Sequence, residues 1–212
     1  MQKIDRIKLL RSLEMPVKDK DILISDIKNP LTRTLQREAL TAFLTSAVLE
    51  KSLQHQGHPI EVSVCRYEGV HDGYLSFLNK KDGEQEFYEL EQIMLTSEEF
   101  VKNNKDLPKI LNREIIKKIK KKDQKQYSDA TKVILTIFLD IVGTTTVDEI
   151  KEFLKKEKSF LFYTLIYLKK VNPYSYVVVD IQPERVGHSE FLVTIGDNFL
   201  EYVVDLNGGE NG

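Results

Sequence analysis

Glu86-Phe-Tyr-Glu-Leu-Glu-Gln-Ile-Met-Leu95 decides how the chain is read. In an extended backbone Phe87, Glu89, Glu91, Ile93 and Leu95 share one face, so two carboxylates project side by side among residues that otherwise belong in a core. Two further strand-like segments precede it. Ile60–Tyr67 alternates, with Ile60, Val62 and Val64 opposite Glu61, Ser63 and Cys65, and Asp72–Leu78 follows. Asn79-Lys-Lys-Asp-Gly83 is a hairpin turn in which Asp82-Gly83 supplies the positive-φ position. The three strands form a meander.

Upstream, Leu31 to Gln56 reads as a long helix broken by Gly57-His58-Pro59. Leu35, Ala39, Phe43 and Leu53 lie on one stripe, flanked by Ala42 and Leu49, while Arg37, Thr41, Thr45 and Ser52 lie opposite. Leu40, Leu44 and Val48 blur that contrast, which implies a helix buried on most sides at its middle. Glu50 falls inside the apolar stripe. Either the helix ends near it and it reaches solvent, or it joins other polar groups, because a carboxylate on a buried face is costly alone. Ile4 to Glu14 carries Ile4, Ile7, Leu10 and Leu13 three apart, a short amphipathic helix within an N-terminal helical extension covering residues 1–30.

Downstream, Leu107 to about Tyr127 reads as a helix with Leu107, Ile110, Leu111, Ile115 and Ile119 inward. Lys132–Asp140 is a near-continuous apolar run, the pattern of a strand covered on both faces. Thr146-Val-Asp-Glu149 has capping-box spacing and opens a helix to about Lys158. Ser159–Leu168 and Tyr176–Ile181 read as strands; Phe191–Ile195 and Phe199–Leu206 fit strands or a closing helix equally well. The order describes one α/β domain over residues 31–206, a mixed central β-sheet flanked by helices, with a flexible tail at 207–212.

The 212 residues suit one domain, and 41% hydrophobic against 30% charged residues allows a real core behind a solvated surface. The longest apolar runs are too short to span a membrane, and no apolar stretch follows Met1–Arg6 to make a secretory signal. With Cys65 as its one cysteine, the chain forms no internal disulfide, the pattern of a reducing cytoplasm. A net charge of −2 argues neither for nor against a nucleic-acid partner, so any electrostatic signal is local.

Two local signals stand out. Asp72 opens the strand before Glu89, so a hairpin brings it close to Glu89 and Glu91, and the preceding helix can offer Glu50 to the same cleft. Clustered carboxylates repel and stay ionised around a cation, and oxygen-only ligation suits Mg²⁺ or Mn²⁺. The plain alternative is outward glutamates keeping an edge strand soluble. The second signal is the helix that follows. From Lys109 to Lys125 eight basic residues face only Glu114 and Asp123. Such a stripe, with Arg113, Lys117, Lys118, Lys121, Lys122 and Lys125 as its phosphate-contacting members, can neutralise a DNA backbone without reading bases; the plain alternative is a solvated helix face.

An acidic residue on a first helix (LEKSLQHQG), then D-x(16)-E-x-E across a hairpin (HDGYLSF, FYELEQ), then a lysine-rich helix (IIKKIKKKDQKQY) and a buried strand (KVILTIFLD) resembles the PD-(D/E)XK nuclease superfamily, the restriction-endonuclease-like fold. The resemblance covers roughly Leu31 to Asp140. It implies a Mg-dependent endonuclease that holds its ion on Asp72 and Glu89, with Glu91 as a further ligand or general base and Glu50 as a supporting carboxylate. Two departures count against activity: Glu91 stands where the family carries lysine, and His71 stands where proline would precede Asp72. Lys118 or Lys122 on the next helix is the candidate to reach in instead.

Two other classes fit the chain. One is a catalytically inactive DNA-binding or protein-interaction module on the same fold. The other is a phosphate-binding transferase built on the loop Gly143–Thr146, where backbone N–H groups at a helix start and three hydroxyls make an anion site. An exposed strand edge after Tyr174 would permit a homodimer.

Overall fold

The computed structural model describes residues 2–4, 9, 30–66, 73–96, 107–124, 132–140, 147–156, 162–169, 175–182, 188–195 and 201–206. They form β1 (Gln2–Ile4), α1 (Pro30–His55), β2 (Ile60–Arg66), β3 (Gly73–Asn79), β4 (Gln85–Thr96), α2 (Leu107–Asp123), β5 (Val133–Asp140), α3 (Val147–Leu154), β6 (Phe162–Lys169), β7 (Ser175–Ile181), β8 (Ser189–Ile195) and β9 (Glu201–Asp205). Both C-terminal segments that period alone left open are strands. Ile4, expected to start a helix, belongs instead to a strand paired with β2, with Ile4 opposite Val64. Most of that expected helix, and the 207–212 tail, lie outside the described residues.

All nine strands lie in one mixed sheet in chain order. Neighbours are antiparallel except at the centre, where β4, β5 and β6 run parallel. Each of those two parallel steps carries a helix, α2 and α3, while α1 lies between the antiparallel strands β1 and β2. Right-handed crossovers taken twice in the same direction put both helices on one face. Accordingly Ile115 and Ile119 of α2 and Ile150 and Leu154 of α3 share a cluster with Ile93, Leu95, Leu135 and Val179.

The opposite face belongs to α1. Every residue from Leu40 to Leu49 is buried. A flat sheet could not do this. Near its C-terminal end α1 meets three strands at once: Glu50 Oε2 accepts the Val62 N–H of β2 at 2.8 Å, Ser52 Oγ donates to Asp180 Oδ2 of β7 at 2.9 Å, and His55 Nδ1 lies 3.2 Å from Asp205 Oδ2 of β9. Strands seven places apart in a flat sheet stand roughly 34 Å apart. The sheet therefore curls around α1, and the helix serves as the axis of the core.

Enclosure gives the polar stripe of α1 a new meaning. Thr41, Thr45 and Ser52 are as buried as the leucines beside them. They meet a row of polar residues in register across five strands: Gln92, Thr136, Thr164, Asp180 and Ser189. Thr45 Oγ1 and Thr136 Oγ1 are 3.2 Å apart, and Gln92 Nε2 donates to the Glu38 carbonyl at 3.0 Å. Buried hydroxyls need such partners, so the seam sets the rotation of α1 inside the curl.

Two glycines punctuate the site-bearing region. Gly57, at φ 80°, ends α1 with paired bonds: the His58 N–H to Leu53 O and the Gly57 N–H to Gln54 O, both 3.0 Å. Gly83, at φ 79°, closes the β3–β4 hairpin, where Asn79 Nδ2 donates to Asp82 Oδ2 at 2.7 Å and the Gly83 N–H to Asn79 O at 2.8 Å. A Cβ at Gly83 would meet nothing within 4 Å. Gly83→Ala is therefore expected to cost only the left-handed backbone penalty, about 1–2 kcal/mol, measured by urea denaturation.

Candidate functional site

The parity of β4 builds the site. Leu90 is fully buried and packs with Leu49 and Val62 on the α1 side. Glu89 and Glu91 therefore point to the other face, with Ile93 and Leu95, toward α2. Glu91 is 2% exposed and Glu89 half-buried.

What lies over Glu91 comes from α2. Leu111, Ile115 and Ile119 form its inward stripe, and Lys118 and Lys122, one turn apart, fall on the same stripe. Lys122 Nζ donates to Glu91 Oε2, with 19% and 3% of the two side chains exposed. Lys118 Nζ donates to the Met94 carbonyl at 2.8 Å. Each lysine delivers an ammonium to the sheet from the inward stripe of α2. Burying a carboxylate is costly, and the lysine offsets that cost.

The remaining candidates fall elsewhere. Glu50 is half-buried on the opposite face of the sheet, where it accepts the Val62 N–H, so the structure does not bring it to Glu89 and Glu91. Asp72, Lys125 and the loop Gly143–Thr146 lie outside the described residues. Arg113, Lys117 and Lys121 are exposed, Lys117 within 3.5 Å of Glu114. Among the described residues no three His, Cys, Asp or Glu side chains converge as a metal site. The described donors amount to two carboxylates, one already held by a lysine, which is short of a complete divalent-cation shell.

Lys118 and Lys122, read both as phosphate contacts and as candidates to reach in from the helix, turn inward, in register with Leu111 and Ile115. Reading by polarity missed a groove between α2 and α3. Asn112 is fully buried, and its Nδ2 donates to Glu149 Oε2 at 3.0 Å. Lys109, Ile110, Arg113, Ile116 and Glu149 line a cleft of about 560 Å³ beside this contact.

No protein-family profile and no curated protein matches this chain. Among solved structures, the central domain of yeast acetyl-CoA carboxylase is similar at a TM-score of 0.41 and 10% identity, over 73% of this chain and 25% of that one. The match thus spans about a quarter of that solved chain's length. Among the described residues no helix is long and apolar enough to cross a membrane.

Proposed function

We propose that the chain binds nucleic acid and hydrolyses phosphodiester bonds with a divalent cation, on a restriction-endonuclease-like core. The observation that carries this reading is the buried pair Lys122–Glu91. The resemblance lacks its lysine on the strand, and an ammonium reaches the same strand position from the next helix. The element order supports it too: α1, an antiparallel meander β2–β3–β4, the crossover α2, and β5 parallel to β4.

On this reading Asp72 and Glu89 hold Mg²⁺ or Mn²⁺. The ion supplies a lowered pKa for bound water and charge neutralisation at the phosphate. The chain's own part is separate. Glu91 fixes the Lys122 ammonium beside the carboxylates, where it stabilises the charge that develops on the phosphate oxygens. Lys117 and Lys121 on the exposed side of α2 hold the backbone of the nucleic acid.

The same pair favours a second reading. An oxygen of Glu91 engaged by Lys122 is withdrawn from a metal, which suits an inactive DNA-binding module. Plasmid nicking across Mg²⁺, Mn²⁺ and chelator, with Glu89→Gln alongside, separates the two. Metal-dependent nicking that falls at least about a hundredfold in Glu89→Gln supports catalysis. Salt-sensitive binding without nicking in any metal supports the inactive module. In either case Lys117→Glu/Lys121→Glu is expected to weaken DNA binding and flatten its log–log salt slope by about 2.

A further inference from the structure

The groove between α2 and α3 has a chemistry of its own, independent of the nuclease reading. Lys109 and Arg113 sit one turn apart on α2 and are exposed, and among the described residues neither forms an ion pair. Glu149 shares their cleft yet pairs with neither, because Asn112 holds its Oε2 from the buried side. Ile110 and Ile116 add an apolar part to the lining. Elsewhere on the same two helices Lys120 Nζ lies 5.5 Å from the centre of the Phe153 ring.

Two cations, a non-polar strip and a fixed carboxylate form an ordered set of demands. The cations call for a phosphate, which Arg113 can meet with its fork of donors. The strip calls for a flat body. The carboxylate accepts hydrogen bonds only, so it calls for N–H donors. A nucleoside monophosphate meets all three, and the volume falls within the range of small-ligand sites, about 300–1,000 Å³. Among the bases, guanine alone presents two adjacent N–H groups to a carboxylate. Adenine and cytosine set a ring-nitrogen lone pair beside their donor, and uracil flanks its N–H with carbonyls, so each of these repels the second oxygen. We infer that the α2–α3 groove is a binding site for a guanosine 5′-phosphate group, carried by the free nucleotide or by the 5′ end of a strand.

Calorimetric titration of the full chain tests this. Guanosine 5′-monophosphate is expected to bind saturably and at least about tenfold more tightly than adenosine 5′-monophosphate, guanosine or inorganic phosphate. Arg113→Ala should weaken it about tenfold, and Glu149→Gln should bring the guanine and adenine nucleotides level. Both positions are exposed, so the variants fold, and circular dichroism verifies that they do. Lys81→Ala, in the exposed β3–β4 turn, should leave the affinity unchanged. A 5′-phosphorylated oligonucleotide beginning with guanosine identifies the source: equal affinity names the strand end, weaker affinity the free nucleotide, and either upholds the site. Inorganic phosphate competing as well as the nucleotide, or an unchanged affinity in Arg113→Ala, overturns it. Loss of nicking activity without loss of nucleotide binding would remove the nuclease reading and leave this one standing.

Discussion

Replacing Lys122 by methionine is expected to lower the free energy of unfolding by about 3–5 kcal/mol, and replacing Glu91 by leucine in the same chain is expected to restore most of it. The methionine keeps an unbranched apolar stem on the helix stripe that also carries Ile115 and Ile119, and removes the ammonium. What remains is Glu91, 2% exposed, without the Lys122 ammonium. A carboxylate in that position must ionise at a desolvation cost or take up a proton, and either route lowers stability at neutral pH. The double substitution removes both charges and leaves a non-polar contact between α2 and β4. The surface pair Lys117–Glu114 is the control: its ions are 3.5 Å apart with the lysine largely in water, so Lys117→Met is expected to cost less than about 1 kcal/mol. Urea denaturation of the four chains decides it. Equal costs for Lys122→Met and Lys117→Met would mean that Glu91 draws its stability from other groups.

The sequence disclosed the meander well and the interior poorly, for a physical reason. Parity along Glu86–Leu95 and the Asp82-Gly83 turn are local facts, and they located Glu89 and Glu91 on one face of a strand whose other face is core. The capping geometry at Gly57 is equally local. Which face of the strand α2 would cover, and with which side chains, depends on packing between segments distant in the chain. The lysines of α2 fit a phosphate-binding stripe and an inward reach alike, and it is packing that turns Lys118 and Lys122 inward, in step with Leu111, Ile115 and Ile119. Helical position leaves Glu50 two readings, solvent at the helix end or a place beside the other carboxylates. In the fold it serves the Val62 backbone on the other side of the sheet. Gln2–Ile4 was too short a strand to announce itself, since its pairing with β2 spans more than fifty residues of chain.

Enclosure of α1 by the curled sheet makes the second large prediction. Phe43→Ala is expected to destabilise by about 3–5 kcal/mol, because Phe43 is fully buried among Phe138, Tyr176 and Phe191 and the rigid surround collapses only in part. That cost alone does not distinguish a helix lying on a sheet from one wrapped by it. Thr45 does. On a helix with a wet back, Thr45→Val would change stability by no more than about 0.5 kcal/mol. Inside the curl, the same isosteric change leaves the Thr136 hydroxyl, fully buried in β5, without its 3.2 Å partner and is expected to cost about 1–3 kcal/mol. Adding Thr136→Val removes the orphaned group and should recover most of that loss. The pattern of a costly Phe43→Ala, a costly Thr45→Val and a compensated double variant requires both sides of one helix to be core. A neutral Thr45→Val would place that side of α1 in water and would leave the sheet flat.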